Sequence, residues 1–395
     1  MSRTLLVLGA SLYQVPAIET ARELGCRVVV TDNVPENPGH ALADRSYHVD
    51  TTDRDAVLEI ARRERIDGVV APCTDVAVPT AAWVAYNLRL PGIPPGAAEV
   101  LCDKVLFRDF MRLRGISAPE WHVFDAGGLR DGDVFNGARF VMKPDRSSGS
   151  KGVFVVESEE QFRQRLAETL SFARNGRGIL ERFIEGRQGT CEGIIRDGTV
   201  AAAWIMDRAT AALPYTATWG QHVPSRMAAD VRGELLELVG RLCSLLHIAD
   251  AVFDCDFVVG DDGVRILELT PRVGGNSIAA LLKHAAGFDL MRHTILMALG
   301  ESPPVPSDDL RCAAAVVLLG SLQAGRLHYN AAGVEWLRRQ PWVASLRMDL
   351  PPQARVAPFI HGRNRVGEAI VTADNRDLLD ERVAEVRRRL DVRAE

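Results

Sequence analysis

The chain has 395 residues, with 47 Lys and Arg against 52 Asp and Glu for a net charge of −5, and it is 47% hydrophobic and 25% charged. At about 150 residues per domain this length makes two or three domains, and the composition excludes disorder, collagen and a coiled coil. The acidic balance supplies no basic field for nucleic acid, and without a run of about 18 apolar residues no membrane span is expected.

The N-terminus runs from Met1-Ser2-Arg3-Thr4 directly into an apolar stretch, with no secretory cleavage pattern. Seven cysteines are scattered without a CxxC pair, which reads as a reduced, cytoplasmic protein. Residues 5–10 predict a strand, 15–24 a helix, 27–32 a strand, 53–65 a helix and 67–72 a strand. Short buried runs alternating with amphipathic helices call for a parallel, doubly wound α/β unit. The turn-rich Pro91-Gly92-Ile93-Pro94-Pro95-Gly96 reads as its boundary, giving a first unit over 1–96.

The next region is α+β. Residues 103–114 predict a helix, 139–144 a strand ending in a Ser/Gly-rich loop, and 153–157 a strand. A helix over 158–175 is expected, with Ser158 as its N-cap and acidic residues in the first turn. Residues 178–184 are strand-like, and 188–257 hold further strands and one long helix near 229–246. Pro303-Pro304-Val305-Pro306 reads as a linker, so 97–300 form a two-lobed body (97–185 and 186–300) and 301–395 a smaller unit ending in a charged helix over 377–390. No internal repeat is visible.

Three segments carry chemistry. After the first strand, Gly9-Ala10-Ser11-Leu12 has only the first glycine of GxGxxG, and Asp32 alone is a weak ribose signal. A dehydrogenase is therefore disfavoured. The segment Lys143-Pro144-Asp145-Arg146-Ser147-Ser148-Gly149-Ser150-Lys151-Gly152-Val153 is not a P-loop. Its small residues let backbone amides converge on phosphate oxygens while Lys143 supplies a point charge. A solvated surface hairpin is the other reading, and composition alone leaves the two even.

The third segment, residues 253–272, reads as two strands about a turn. With Asp261-Asp262-Gly263 as a three-residue loop, Asp256 lies opposite Glu268 and Asp254 opposite Thr270, all on one face. Opposed carboxylates are destabilising at about 5 Å. Flanked by Phe257, Leu267 and Leu269, they call for a cation, and oxygen ligands suit Mg²⁺ or Mn²⁺. His222 sits in an irregular aromatic-bearing loop, where it either lines an acceptor pocket or is structural.

These pieces, in this order, resemble the ATP-grasp superfamily, in its carboxylate–amine ligase branch with biotin carboxylase, purine-pathway enzymes and L-amino acid ligases. The resemblance starts at Asp103-Lys104 and runs through the loop 143–153 and the strand Leu180-Glu181-Arg182-Phe183-Ile184-Glu185-Gly186. It closes on Leu267-Glu268-Leu269-Thr270-Pro271-Arg272-Val273-Gly274-Gly275-Asn276, similar to the family's ExNPRxGG signature. Residues 1–96 look like the pre-ATP-grasp domain, and Gly362-Arg363-Asn364-Arg365-Val366-Gly367 looks like the closing domain.

The resemblance implies an ADP-forming carbon–nitrogen ligase that activates a carboxylate as an acyl phosphate and joins it to an amine. Carboxylase or formate-using chemistry, or a nucleotide-binding regulator without turnover, are the alternatives. Lys104 and Lys143 would contact ATP phosphates, with Ser147, Ser148, Gly149, Ser150 and Gly152 in the lid over them. Glu181 and the backbone of Phe183 and Ile184 would hold adenine. Asp256 and Glu268 would bridge Mg²⁺, and Arg272 would stabilise the transferred phosphate. Three positions depart from the family. Gln188 stands where a glutamate holds the ribose, Thr270 replaces the signature Asn with Asn276 nearby, and Asp256 replaces the commoner Glu. Arg363 and Arg365 either clamp a substrate anion or are surface arginines. The expected partners are small carboxylate and amine substrates, with no nucleic acid and no membrane, and a homodimer is allowed.

Overall fold

The computed structural model describes residues 2–130 and 134–395. The first sheet holds β1 (Thr4–Leu8), β2 (Arg27–Thr31), β3 (Arg45–Tyr47) and β4 (Gly68–Val70) in the order β3-β2-β1-β4, all parallel. Every residue of β1 is buried, as a strand covered on both faces requires. The covering helices are Val15–Glu23 and Arg54–Glu64, the latter capped by the Asp53 side chain on Ala56 N–H. The turn expected at 91–96 gives way at Pro95 to a helix, Pro95–Leu101, because proline is tolerated in the first helical turn.

A second sheet, of five strands, is antiparallel. It orders β5 (Trp121–Asp125), β6 (Gly128–Leu129), β7 (Phe140–Pro144), β8 (Phe154–Val156) and β9 (Gly178–Arg182) as β6-β5-β9-β7-β8. The helix capped by Ser158 ends at Leu170, one turn earlier than the pattern suggests. Beyond it, Ala173 N–H donates to Leu170 O in a turn that re-aims the chain into β9.

The largest sheet contains β10 (Arg187–Arg196), β11 (Thr199–Thr210), β12 (Thr218–Val223), β13 (Ala251–Gly260), β14 (Gly263–Thr270) and β15 (Ala313–Leu319). The C-terminal region adds β16 (Gly325–His328), β17 (Val343–Met348), β18 (Arg355–Val356), β19 (Gly367–Ala373) and β20 (Arg393–Ala394). The eight-stranded order is β14-β13-β10-β11-β12-β15-β19-β17, and β18-β16-β20 form a small separate sheet. The strands that follow the irregular stretch 300–312 thus continue the main sheet through the β12–β15 pair. The helix Ala229–Leu245 lays Leu235, Val239 and Leu242 on one face of that sheet, against Phe253, Cys255 and Ile266. The other face shares a core with the first sheet. There Ile278, Leu281 and Leu282 of the helix Ile278–Ala285 join Val28 and Val30 to Ile194 and Val316. At about 25 cal/mol per Å² of apolar surface removed from water, such shared burial holds the two units together.

In the β13–β14 hairpin Asp256 pairs with Glu268 and Asp254 with Thr270, as the sequence suggests, but by another route. The loop has two residues, since Gly260 pairs with Gly263, and the register shifts by one between Asp256 and Phe257. A bulge at Leu267 supplies the extra residue that the loop does not.

Candidate active site

One cavity of about 1190 Å³ lies where the three sheets meet, and it gathers the motifs. Lys104, Lys143, Ser147, Ser148, Gly149, Ser150, Glu181, Phe183, Ile184, Gln188, Asp256, Glu268, Arg272, Asn276 and Arg363 all line it. The loop 147–151 passes over it. Gly152, expected in the lid, instead turns away with φ +69°, and a Cβ there would meet Phe172 at 2.9 Å. Gly149 O accepts from Gly362 N–H (3.1 Å), tying the loop to the C-terminal segment.

The cations sit in ion pairs. Asp103 caps the helix Lys104–Leu113 through Leu106 N–H, which aims Lys104 Nζ at Glu268 Oε1 (3.1 Å) and at Ser147 O (3.2 Å). Burial lowers the basicity of Lys104, but Glu268 and Asp75 outweigh it and raise its pKa. Lys143, at the end of β7, meets Glu181 Oε2 at 2.5 Å. Burial, with Arg108 and Lys104 nearby, depresses its pKa in spite of Glu181. Arg108 lies one helical turn after Lys104 on the same face. It is fully buried, donates from Nε to Glu181 Oε1 (2.8 Å), and gives Nη2 to Leu267 O (2.6 Å) at the bulge. Burial would raise the Glu181 pKa, but Arg108 and Lys143 bring it down to about 2. The Glu181 carboxylate thus binds two cations, one on each oxygen, at the cavity wall, and Phe183 N–H is given to Arg139 O.

The acids form two adjacent rows across β10, β13 and β14. Thr190, Asp256 and Glu268 make one, and Glu192, Asp254 and Thr270 the other. Asp256 accepts from Arg208 Nη1 (2.6 Å) and Thr190 Oγ1 (2.8 Å). Arg272 is bound by Asp75, from the loop after β4, and by Asp254. Burial opposes its charge, yet these two acids hold the Arg272 pKa well above normal. Asp254 is raised to about 7, first by burial and then by Asp256, against Arg272. Glu192, fully buried beside Asp254, is also raised well above normal, burial leading. A Cβ on Gly274 would lie 2.6 Å from Glu192 Oε2 and 3.2 Å from Asp254 Cγ, so only glycine allows the signature loop to close over this pair.

Two expected substrate contacts fall elsewhere. His222 is not on the cavity wall: β12 alternates, so Gln221 faces in and His222 turns to Asp380 (3.1 Å) and Arg376 (3.3 Å) on the helix Arg376–Leu390. Burial lowers its pKa. Arg365 is buried under Tyr13, 5.1 Å from the ring centroid, and binds Asp349 (3.2 Å) and Glu368 (2.8 Å). The sequence reading missed Asp75, Arg108, Glu192, Arg208 and Gln221. Polar side chains at alternating positions in Thr190-Cys191-Glu192 carried a signal for one of them.

The fit to a divalent cation rests on the donor set. Asp256 and Glu268 are opposed oxygen donors, each now matched by a cation, Arg208 and Lys104. Among the described residues no group of three or more His, Cys, Asp and Glu could hold a metal alone. Two opposed carboxylates suit Mg²⁺, which takes one or two of them and completes its shell with substrate phosphates and water. Among the described residues no helix is long and apolar enough to cross a membrane.

Comparison with known proteins agrees with this geometry. The ATP-grasp domain family matches residues 102–276. Carnosine synthase 1 of Gallus gallus is 26% identical over 318 residues, covering 73% of this chain and 34% of that protein. The chain thus spans about a third of the length of that curated relative. Formate-dependent phosphoribosylglycinamide formyltransferase of Burkholderia pseudomallei is 26% identical over 399 residues, covering 95% and 92%. The L-amino acid ligase structure from Bacillus licheniformis superposes with a TM-score of 0.81 at 19% identity, covering 98% of each chain. Residues 102–276 thus match an ATP-grasp domain, within a mixed α/β and α+β fold that the chain shares along nearly its whole length with that ligase.

Proposed function

We propose that the protein is an ATP-dependent, ADP-forming ligase that converts a substrate carboxylate to an acyl phosphate and joins it to an amine, making an amide or peptide bond. The observation that carries this reading is the convergence of Lys104, Lys143, Asp256, Glu268 and Arg272 on one cavity beneath the 147–151 loop. Phosphoryl transfer needs positioning and charge neutralisation more than covalent help from the protein, and these residues supply both. Lys104 and Lys143 hold phosphate oxygens, and Ile184 with Gln188 receives the nucleoside. Arg272, steadied by Asp75, meets the charge on the acyl phosphate. Asp256 and Glu268 would hold Mg²⁺ or Mn²⁺, which neutralises phosphate charge when bound. The 147–151 loop keeps water from the acyl phosphate, and the amine then displaces phosphate. The units 1–96, 97–300 and 301–395 act as scaffold, nucleotide grip and closing element around a small-molecule site, in the cytoplasm.

The test is a phosphate-release screen with ATP, Mg²⁺ and amino acids, singly and in pairs. Pair-dependent ADP and an equimolar amide product are expected, and ATP binding without turnover across the panel would overturn the reading. The 92% coverage of the formate-dependent relative favours a second reading, which formate-dependent ADP release would identify.

A further inference from the structure

The cavity wall beside Arg272 is rich in acceptors that no donor satisfies. Among the described residues, Gln221 Oε1, Asp254 Oδ1 and Glu192 Oε2 are buried with no hydrogen-bond partner. Gln221 and Asp254 line the cavity. Gln221 is 3% exposed and Glu192 0%.

The orientation of the Gln221 amide follows from its neighbours. Gln221 Nε2 lies 3.2 Å from Thr190 Oγ1, and Thr190 Oγ1 lies 2.8 Å from Asp256 Oδ1. Thr190 has a single hydroxyl proton, which it donates to Asp256 Oδ1. Thr190 Oγ1 can then only accept, and the amide must turn its NH₂ toward it. Oε1 is left as the end without a partner. Asp254 is fixed in a similar way: Oδ2 binds Arg272 Nη1, so Oδ1 is the spare oxygen. Glu192 Oε1 takes Gly274 N–H at 2.9 Å, leaving Oε2 beside Asp254.

A buried acceptor left unpaired costs about 1–3 kcal/mol. Gln221 Oε1 and Asp254 Oδ1 in the wall, with Glu192 Oε2 buried behind Asp254, match a ligand with several N–H donors and a positive charge. Arg272 on the other side of Asp254 makes the same place hostile to a cation that does not offer hydrogen bonds to these oxygens. We infer that Gln221 and Asp254, backed by Glu192, form the subsite that receives the ammonium group of an amino-acid-like substrate. The inference rests on the ligase reading and specifies where its amine-bearing substrate binds.

The test uses the full chain with MgADP present and two probes, glycinamide and N-acetylglycinamide, which differ by the ammonium. Calorimetric titration should show glycinamide binding and no binding of the acetylated probe. Gln221→Leu, which removes the acceptor, should weaken glycinamide at least tenfold. Gln221→Glu, which keeps an acceptor of the same length, should bind it as tightly or more so. Absence of glycinamide binding, equal binding of the two probes, or unchanged affinity in Gln221→Leu would each overturn the subsite. MgADP affinity, read on the same samples, separates the two ideas. If MgADP binds normally while glycinamide fails, the subsite alone is wrong, whereas failure of MgADP to bind the wild-type chain overturns the ligase reading beneath it.

Discussion

Replacing Glu181 with Gln tests the ion-pair network that sets Lys143. Glu181 is 2% exposed and bridges Arg108 Nε and Lys143 Nζ. Its pKa falls from an ordinary 4.5 to about 2 because the two cations outweigh the effect of burial. A group with a depressed folded-state pKa contributes stability above its unfolded pKa and loses it as pH falls through the folded value. At 1.36 kcal/mol per tenfold in proton affinity, that contribution is about 3 kcal/mol, of which about 2 is lost between pH 5 and pH 3. At pH 7, Glu181→Gln leaves two buried cations short of a partner and should cost about 3–5 kcal/mol. Urea unfolding of both proteins at steps from pH 5 to pH 3 should show the gap narrowing by about 2 kcal/mol as the wild type loses what the variant lacks. A gap that stays constant over that range would refute the argument, because it would mean that Glu181 is not held ionised by Arg108 and Lys143.

Glu268→Gln removes a proposed metal oxygen and the partner of Lys104, and ADP formation should fall on the order of 10²-fold or more. Normal ADP release with saturating substrates would remove Glu268 from that role. Asp75→Asn leaves Arg272 with one carboxylate instead of two, so kcat should fall while KM for ATP stays near its wild-type value. A rise in KM alone would place Asp75 in nucleotide binding instead. ADP should bind much more weakly when EDTA replaces Mg²⁺, measured by calorimetry, and equal affinity would show that Asp256 and Glu268 take no metal with the nucleotide.

Much of the architecture was legible because buried strands and capped helices are local signals. Asp53, Asp103 and Ser158 each cap the helix they precede. The hairpin pairing of Asp256 with Glu268 was also legible, although the expected loop was one residue too long and a bulge at Leu267 made up the difference. No local pattern announces that bulge, since Arg108, 159 residues away, binds the Leu267 carbonyl there. Parity decided His222. Without the β12 register, nothing in Gly220-Gln221-His222 says which side chain faces the cavity, and chemical prejudice favours the histidine. Arg365 was misjudged because its partners, Glu368 three residues on and Asp349 just after β17, bury it beneath Tyr13. Long-range partners of charged side chains were the part the sequence concealed.

Those partners change how a mildly acidic chain would bind a highly anionic nucleotide. Sequence reasoning pictures Lys104, Lys143 and Arg272 as a concentration of positive charge. In the structure each is already matched, by Glu268, by Glu181, and by Asp75 with Asp254. Arg208 is matched by Asp256 in the same way. These four cations are therefore neutralised by carboxylates, and a bare nucleotide would have to compete for each of them. A divalent cation held by Asp256 and Glu268 would reverse that competition, because it would be a better partner for them than an arginine or a lysine at the same distance. Lys104 and Arg208 would then be released toward the phosphates. The paired state also guards the resting site, since a buried lysine or arginine without a counter-charge would cost several kcal/mol. On this reasoning the opposed acids would do two jobs with one geometry: they hold the cations in place in the resting cavity, and they would give them up if metal and nucleotide arrive together.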